Sequence, residues 1–483
     1  MEQKNFYITT TLPYVNGEPH LGFATEIIRA DILARHFRAA GGKVFFNTGT
    51  DEHGQKLFLK AQEKGIPVKE LVDQGSQTFK DFASTLNISH DAFVRTTNKT
   101  HMRAAQKFWE ICDENGYIYK KNYQTKYCVG CELEKQDSDL EEGDGGFRCP
   151  IHPQMAIEII DEENYFFAFS KFEDQLLALY SKDGGLVVPS FRQNEIESFV
   201  KGGLQDFSIS RLKEKMSWGI PVPGDDEHVM YVWFDALVNY ISILGWDIGQ
   251  SMFDLYWKEG ETFQICGKDN LRQQSAMWQA MLIAVGLPTT DKIYINGFIN
   301  GPDGKKMSKS LGNTVSVNEI LDIYGVDALR YFTARHVNNH EDTNFSMDIF
   351  HEAYQANLVN GIGNLTNRIL QMSSSYGVEP VVRPEDTYEN DLLNTYDFNG
   401  AMNSVFKLIG EMDQFITDEA PFKKVKVDPE GAAVDLQKLL TQLWQVAEMI
   451  KPIMPNTYLK MVSALAKNEK PEEPLFPRIE REK

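Results

Sequence analysis

Two pairs of metal-type ligands stand in one short stretch of this sequence. "CVGC" places Cys128 and Cys131 with two residues between them, and "CPIH" repeats that spacing with Cys149 and His152. Thiolate and imidazole are the ligands a zinc ion prefers, and two short-spaced pairs separated by a loop frame a tetrahedral site. Four protein ligands leave no position for water, so the expected ion is one structural Zn2+ rather than a catalyst. The plainer alternative is unrelated free cysteines beside a surface histidine, and the doubled spacing argues against it.

A second group is built for phosphate. "GPDGKKMSKSLGN", Gly301 to Asn313, sets Lys306 and Lys309 three apart around Ser308 in a glycine-rich turn. Two ammonium groups on such a loop can close on a polyphosphate and neutralise charge growing on a departing pyrophosphate. Alone, such a run is more often a solvated loop, by roughly two to one. "NGEPHLGF", Asn16 to Phe23, adds His20 and Gly22 in a turn between a strand-like run and a helix-like one. The free N–H groups of a helix start attract anions at that place in α/β folds.

The elements that must position these groups follow from periodicity. "FYITTTL" reads as a strand, and Ile27, Ile28, Ile32 and Leu33 give a helix over 24–40. Another strand is expected in "VFFNTGTDEHG", then helices near 56–64, 67–86 and 99–115. Residues 116–222 change character, with the cysteine cluster, an acidic loop and paired aromatics, and read as an insertion. Strand-like "HVMYVWF", "TFQICGKD" and "KIYINGFIN" return over 223–320, and a linking stem over 321–350 leads to a helical pattern through 351–483. The expected fold class is α/β: a split Rossmann-like parallel-sheet domain, first half 1–115, carrying a zinc-containing insertion and followed by an all-α domain.

Composition bounds the function. With 483 residues, 42% hydrophobic and 24% charged, the chain has ample core for several domains. Its start carries an acidic residue and no apolar signal region, and no run approaches the ~18 apolar residues of a membrane span. Five cysteines, three of them clustered, suit metal ligation in a reducing compartment, so a cytoplasmic location and no membrane partner are expected. A formal net charge of −20 disfavours indiscriminate nucleic-acid binding but leaves room for a shaped RNA site.

Together, "PHLG" and "KMSKS" resemble the paired motifs of class I aminoacyl-tRNA synthetases. "TTTLPYVNGEPHLG", "TGTDEHG", "YVWFDALVNY", the zinc insertion and "KMSKSLGN" resemble, in that order, the methionyl-tRNA synthetases, from about residue 5 to at least residue 425. The resemblance implies two steps: ATP, with Mg2+, activates L-methionine to an adenylate with loss of pyrophosphate, and the terminal ribose of tRNA(Met) then takes the aminoacyl group. It implies that His20, Gly22, Lys306 and Lys309 hold the phosphates and act in catalysis. Gly267 and Asp269 of "CGKDN" would bind the adenosine side, although an aspartate there also fits an ordinary helix start. The methionine pocket is implied at Leu12, Tyr14, Asp51 (for the ammonium, oriented by Arg211), Trp233, Ala236, Leu237, Tyr240, Asn270 and Gln274. Four of these fall at i, i+3, i+4 and i+7, a stripe that is otherwise ordinary core. Trp278 follows on the next helix as a mobile cover. Asn364, Arg368 and Phe422 are the implied readers of the CAU anticodon in the helical domain, an amide, a guanidinium and a π face being suited to unstacked bases.

Four positions depart from the family pattern. Phe23 stands for the second histidine of the first motif, Asn270 for an isoleucine, Gln274 for a histidine and Phe422 for a tryptophan. Asn270 and Gln274, four apart, are expected to form one amide network near the substrate. The rivals to a methionine-activating, tRNA-charging enzyme are a relative that activates another small molecule and a silent tRNA-binding protein. The insertion leaves little room for a large editing domain. No extra tRNA-binding module follows the helical domain, so a monomer is expected.

Overall fold

A computed structural model describes the chain except residues 1–3, 132, 136, 144–145, 153, 306, 308–314, 384–389 and 481–483. Two compact units emerge: residues 1–19, 43–84 and 90–295 form one, and 20–42, 85–89 and 296–483 the other.

The first unit is built on a six-stranded sheet with the spatial order Ala92–Arg95, Lys43–Thr50, Asn5–Thr10, Glu261–Gly267, Lys292–Asn296, Val187–Val188. Asn5–Thr10 runs parallel to both of its neighbours, with Ile8 opposite Phe46 on one side and Phe263 on the other. Tyr7, Ile8, Phe46, Phe263, Ile265, Ile293 and Ile295 are all buried. Such nearly continuous apolar strands are what a parallel sheet covered on both faces requires. The strand order reverses between Asn5–Thr10 and Glu261–Gly267, which opens a crevice beyond their carboxyl ends. Leu12 and Tyr14 follow the first of those ends in the chain and Asp269 the second, while Asp51 follows the neighbouring strand Lys43–Thr50. The split sheet is therefore as expected, with the insertion entering after its third strand.

Two details differ from the expectation. "HVMYVWF" is not a strand of the main sheet: Asp225–Met230 is the middle of a small antiparallel sheet with Ser210–Leu212 and Pro221–Val222. The chain turns helical directly afterwards, at Val232–Leu237. The missing edge of the main sheet comes instead from Val187–Val188, inside the insertion, paired parallel with Lys292–Asn296. A two-residue strand carries no periodicity to read.

The insertion rests on a long hairpin, Ile118–Cys128 against Glu158–Phe167, in continuous register from Ile118↔Phe167 to Tyr127↔Glu158. Alternate residues of the second strand are buried, as a half-covered sheet demands. Where the hairpin reaches Tyr127 it joins Val129, Ile160, Tyr231 and Val232 in a small core, against which Tyr14, Tyr123 and Trp233 pack.

The second unit is helical. Its long members are Leu21–Ala39, Asn364–Ser375, Phe398–Glu419, Pro429–Ile450 and Pro455–Lys467. Asp397 and Asp428 cap their helices by accepting N–H groups from Gly400 and Gly431, and prolines fill early positions where no donor is needed. Leu21–Ala39 does not group with the sheet that flanks it in sequence, and two buried arginine sites explain why. Asp31 on this helix bonds Arg330 at 2.6 Å, both fully buried, and Arg330 also donates to the carbonyls of Leu86, Pro452 and Ile453. Arg29 donates to Asn296 Oδ1 and to the carbonyls of Thr333, Val337, Asn338 and Asn339.

Candidate functional site

The cysteine cluster assembles as the spacing predicts. The ligand atoms of Cys128, Cys131, Cys149 and His152 lie within 4.8 Å of one another. Cys131 Sγ is 3.5 Å from Cys149 Sγ and 3.2 Å from His152 Nδ1, which is 3.9 Å from Cys128 Sγ. Zn–S bonds of ~2.3 Å and Zn–N bonds of ~2.0 Å place tetrahedral ligand atoms at about such separations, so the donor set fits zinc. Burial pushes the Cys131 thiol up to about 12. Burial also opposes ionisation of Cys149, but the backbone N–H of His152 and neighbouring donors outweigh it and hold that thiol below its usual range. Gly130 is required by the knuckle: a Cβ there would lie 2.5 Å from His152 Cγ and 2.7 Å from the Met155 sulfur.

Beyond the carboxyl end of Lys43–Thr50, the turn Thr50–Gly54 presents Asp51, buried and bridged to Tyr14, with its N–H bonded to the Pro13 carbonyl at 3.0 Å. The flanking residues are tied down. The Glu52 carboxylate takes two bonds from the Arg95 guanidinium, at 2.6 and 2.8 Å, and one from Thr50 Oγ1 at 2.7 Å. Glu52 N–H donates to Thr96 Oγ1 at 2.9 Å, and that hydroxyl faces Asp51 Oδ1 at 3.4 Å. The Trp218 indole donates to the Glu52 carbonyl at 2.6 Å. On the other side His53 Nδ1 meets Asp235 Oδ2 at 3.1 Å. Burial would raise the Asp235 carboxyl, but the His53 imidazole foremost, then His101, holds it below the ordinary carboxylate range.

Asp235 lies on Val232–Leu237, the helix of the apolar stripe. Ala236, Leu237 and Tyr240 are buried, whereas Trp233 is half-buried and Tyr240 follows in a second short helix, Asn239–Ser242. Gln274 Nε2 donates to the Tyr240 hydroxyl at 2.7 Å, and Tyr7 Oη donates to the Tyr240 carbonyl at 2.7 Å. Gln274 Oε1 is buried without a hydrogen-bond partner among the described residues. The expected Asn270–Gln274 network does not form: no hydrogen bond joins the pair among the described residues. The chain passes from a 3-10 turn, Lys268–Asn270, into a π-helical segment, Gln273–Met277, so four residues no longer span one α turn. Trp278, read from the sequence as a mobile cover, lies in the core here. It is fully buried, stacked on Phe108 at 5.9 Å and edge-on to Trp257 at 6.2 Å.

Arg211 is buried between the rings of Tyr231 and Tyr127, 4.4 and 5.0 Å from their centroids. Its Nη1 donates to Ser208 Oγ and the Ser210 carbonyl, while Nε and Nη2 are buried without a hydrogen-bond acceptor among the described residues. The structure thus gives Arg211 other anchors than Asp51. On the crevice side of Glu261–Gly267, Asp269 is exposed and Gly267 leaves room for it, a Cβ there falling 2.7 Å from Asp269 Oδ1. Leu12 is half-buried.

His20 and Gly22 belong to the second unit. His20 caps the helix Leu21–Ala39: its Nδ1 accepts the Phe23 N–H at 3.2 Å. Nδ1 is therefore unprotonated, and the ring hydrogen sits on Nε2, a donor suited to an anion. A Cβ on Gly22 would stand 3.1 Å from that ring. The Phe23 side chain is buried, so the position where the family pattern has a second imidazole serves packing. The loop beginning at Gly301 closes on itself, with Gly301 N–H on the Lys305 carbonyl at 2.8 Å and Gly304 at φ +73°. Lys306 and Lys309 lie outside the described residues. Asn364 is exposed on its helix, Arg368 one turn on is paired with Asp413 at 3.1 Å, and Phe422 is 40% exposed beside the Lys423 ammonium.

Sequence reading missed Glu52, His53, Arg95, Thr96, His101 and Asp235. The one visible hint was an aspartate inside the apolar stripe of Val232–Leu237.

Comparison with known proteins agrees with this arrangement. The family model described as tRNA synthetases class I (M) matches residues 6–370. The methionine–tRNA ligase of Brucella suis biovar 1 is 37% identical over 483 aligned residues, 96% of this chain and 92% of that one. That of Thermotoga maritima is also 37% identical, over 96% of this chain and 76% of its own. Among solved structures, Mycobacterium tuberculosis methionyl-tRNA synthetase in complex with methionyl-adenylate superposes with a TM-score of 0.90 at 31% identity, covering 99% of this chain and 100% of that one. No helix among the described residues is long and apolar enough to cross a membrane. With its family model matched over most of its length, the chain belongs to the class I tRNA synthetases, in their methionine group.

Proposed function

We propose that this protein is a methionine–tRNA ligase, converting L-methionine and ATP to methionyl-adenylate and pyrophosphate and passing methionine to the 3′ end of tRNA(Met). The observation that carries the reading is the superposition, at 0.90 over nearly the whole chain, on a synthetase solved with methionyl-adenylate. The buried Asp51 carboxylate pairs with the substrate ammonium, and Leu12, Tyr14, Trp233, Ala236, Leu237 and Tyr240 wall in the apolar thioether. Sulfur against aromatic rings is favourable. Gln274, fixed to Tyr240, and Asn270 supply amide groups where the family has other side chains.

The phosphoryl step needs positioning and charge stabilisation more than acid–base chemistry. His20, its Nδ1 committed to the helix cap, offers Nε2–H to phosphate, with Gly22 leaving room for the ring. Gly267 and Asp269 serve the adenosine, Asp269 accepting ribose hydroxyls. Lys306 and Lys309 neutralise the departing pyrophosphate, and Mg2+ enters with ATP. Cys128, Cys131, Cys149 and His152 hold one zinc ion, whose contribution is a cross-link in the insertion. Asn364, Arg368 and Phe422 read the anticodon. The protein works as a cytoplasmic monomer.

Methionine-dependent ATP–pyrophosphate exchange followed by charging of tRNA(Met) tests the reading. Exchange with a different amino acid favours the rival that activates another small molecule, for which the unpartnered Gln274 Oε1 is the one supporting observation. No exchange with any substrate favours a silent tRNA binder. Lys309→Ala is expected to cut adenylate formation while equilibrium methionine binding is unchanged; undiminished exchange would remove the lysine loop from the mechanism.

A further inference from the structure

The turn that carries Asp51 is fastened on two sides, and one of those fastenings reaches the helix that walls the amino-acid pocket. Glu52 is locked through Arg95, Thr50 and Trp218. His53, two residues beyond Asp51, is buried, its ring 5.8 Å from that of Trp218 and its Nδ1 3.1 Å from Asp235 Oδ2. An ionised carboxylate only accepts, so Nδ1–H donates to it. Asp235, fully buried, sits next to Ala236 and two residues after Trp233. His53–Asp235 is thus a charge-assisted side-chain link between the Asp51 turn and the pocket helix.

The link is not a saturated structural bridge. Asp235 Oδ1 faces His101 Nε2 at 3.8 Å, too far for a hydrogen bond, and both atoms are buried without a hydrogen-bond partner among the described residues. His101 is itself held from behind, with Nδ1 on Ser242 Oγ at 2.9 Å. Asp235 Oδ2 therefore carries the link to His53, while Oδ1 keeps only a longer electrostatic contact with His101 among the described residues.

We propose that Asp235 is a positioning residue for amino-acid recognition: through His53 it sets the distance between the Asp51 carboxylate and the wall formed by Val232–Leu237. It touches neither methionine nor ATP. Because the ammonium site lies on the turn and the side-chain wall on the helix, this distance decides whether one substrate can satisfy both. The proposal rests on the reading of Asp51 as the ammonium partner.

The test uses the full chain and ATP–pyrophosphate exchange, with KM measured separately for methionine and for ATP. Asp235→Ala is expected to raise the methionine KM by roughly tenfold or more, since a displacement of about 1 Å can cost about 100-fold. The ATP KM should stay within about twofold, or about 0.4 kcal/mol. Asp235→Asn keeps an oxygen to accept the His53 N–H and should recover most of the loss. An unchanged methionine KM in Asp235→Ala, an equal rise in both KM values, or no recovery in Asp235→Asn would overturn the proposal. If Asp235→Ala does not fold, His53→Leu against His53→Gln makes the same comparison from the donor side and is judged by the same outcomes. Asp51→Asn separates the two layers: if it leaves the methionine KM untouched the underlying reading falls, whereas a raised KM there with a normal Asp235→Ala sinks the proposal alone.

Discussion

The cysteine knuckle and the Asp51 turn face the same problem, holding a few side chains in fixed register at the edge of a sheet, and solve it by opposite means. The knuckle draws four ligand atoms to within 4.8 Å of one another from a span of 25 residues, Cys128 to His152. The turn has no such common centre. It is held by ion pairs and hydrogen bonds to Arg95, Thr96, Trp218 and Asp235, partners 43, 44, 166 and 182 residues away in the chain. A metal ion held by the knuckle would concentrate its stabilisation in one removable group, whereas the turn spreads it over pairs that can be broken one at a time. Both meet in the small core where Tyr127 and Val129, flanking Cys128, pack with Tyr14 and Trp233.

The largest effect should come from unmaking the knuckle. Structural zinc contributes on the order of 10 kcal/mol to folding in zinc-finger peptides. Cys149→Ala is expected to abolish zinc retention and to open the 118–167 hairpin to proteolysis, while the six-stranded sheet keeps its own melting transition. Metal analysis with limited proteolysis checks this, and a variant that still carries one zinc per chain would refute the four-ligand assignment.

Next in size is the buried arm of the turn. Arg95→Met removes the guanidinium and leaves the Glu52 carboxylate, whose side chain has no exposure, without its countercharge. Breaking a buried pair from one side costs about 3–5 kcal/mol. Denaturant unfolding should record a loss of that order, and a loss below about 1 kcal/mol would mean that water reaches Glu52. Gly130→Ala should matter less. Its Cβ would press on His152 at 2.5 Å, tilting a ligand without deleting it. A weakening of zinc binding by about 10- to 100-fold is expected, the range seen when ligand orientation is disturbed, measurable by competition with a chromogenic chelator.

The same contrast explains what the sequence made legible. The knuckle could be read because its geometry is local and its chemistry is written in residue type: C-x-x-C and C-x-x-H admit few other uses. The parallel sheet could be read because strand-like and helical stretches alternate along the chain. Asp51 and the pocket stripe were reached through family resemblance, yet the groups that fix Asp51 were not, since nothing in a string pairs His53 with Asp235 across 182 positions. Asn270 and Gln274 misled for a physical reason: spacing rules assume an α-helix, and this segment runs 3-10 and then π. Leu21–Ala39 misled in another way. Its apolar spacing and its place after a strand read as a helix of the sheet domain, but it is buried on almost every side, and Arg29 and Asp31 bind it to the helical unit.

The smallest expected effect tests burial itself, because Arg95 has two carboxylate partners at the same 2.6 Å distance. Asp73 is the exposed one: its side chain is 43% accessible and is shared with Lys69. Its carboxyl is held below the usual range by the bond from Lys69 first, with burial opposing and Arg95 assisting. A depressed carboxyl contributes stability above its unfolded-state value and loses that contribution as the pH falls through its folded one. The contribution is present at neutral pH and absent in strong acid. Water and salt screen it, so the expected worth is that of a surface pair, about 0–1 kcal/mol. Asp73→Asn should therefore lower stability by less than ~1 kcal/mol at neutral pH, and the difference from the parent should vanish in acid and shrink in high salt. If Asp73→Asn instead costs as much as Arg95→Met, distance rather than burial governs these pairs, and the contrast between the turn's inner and outer anchors collapses.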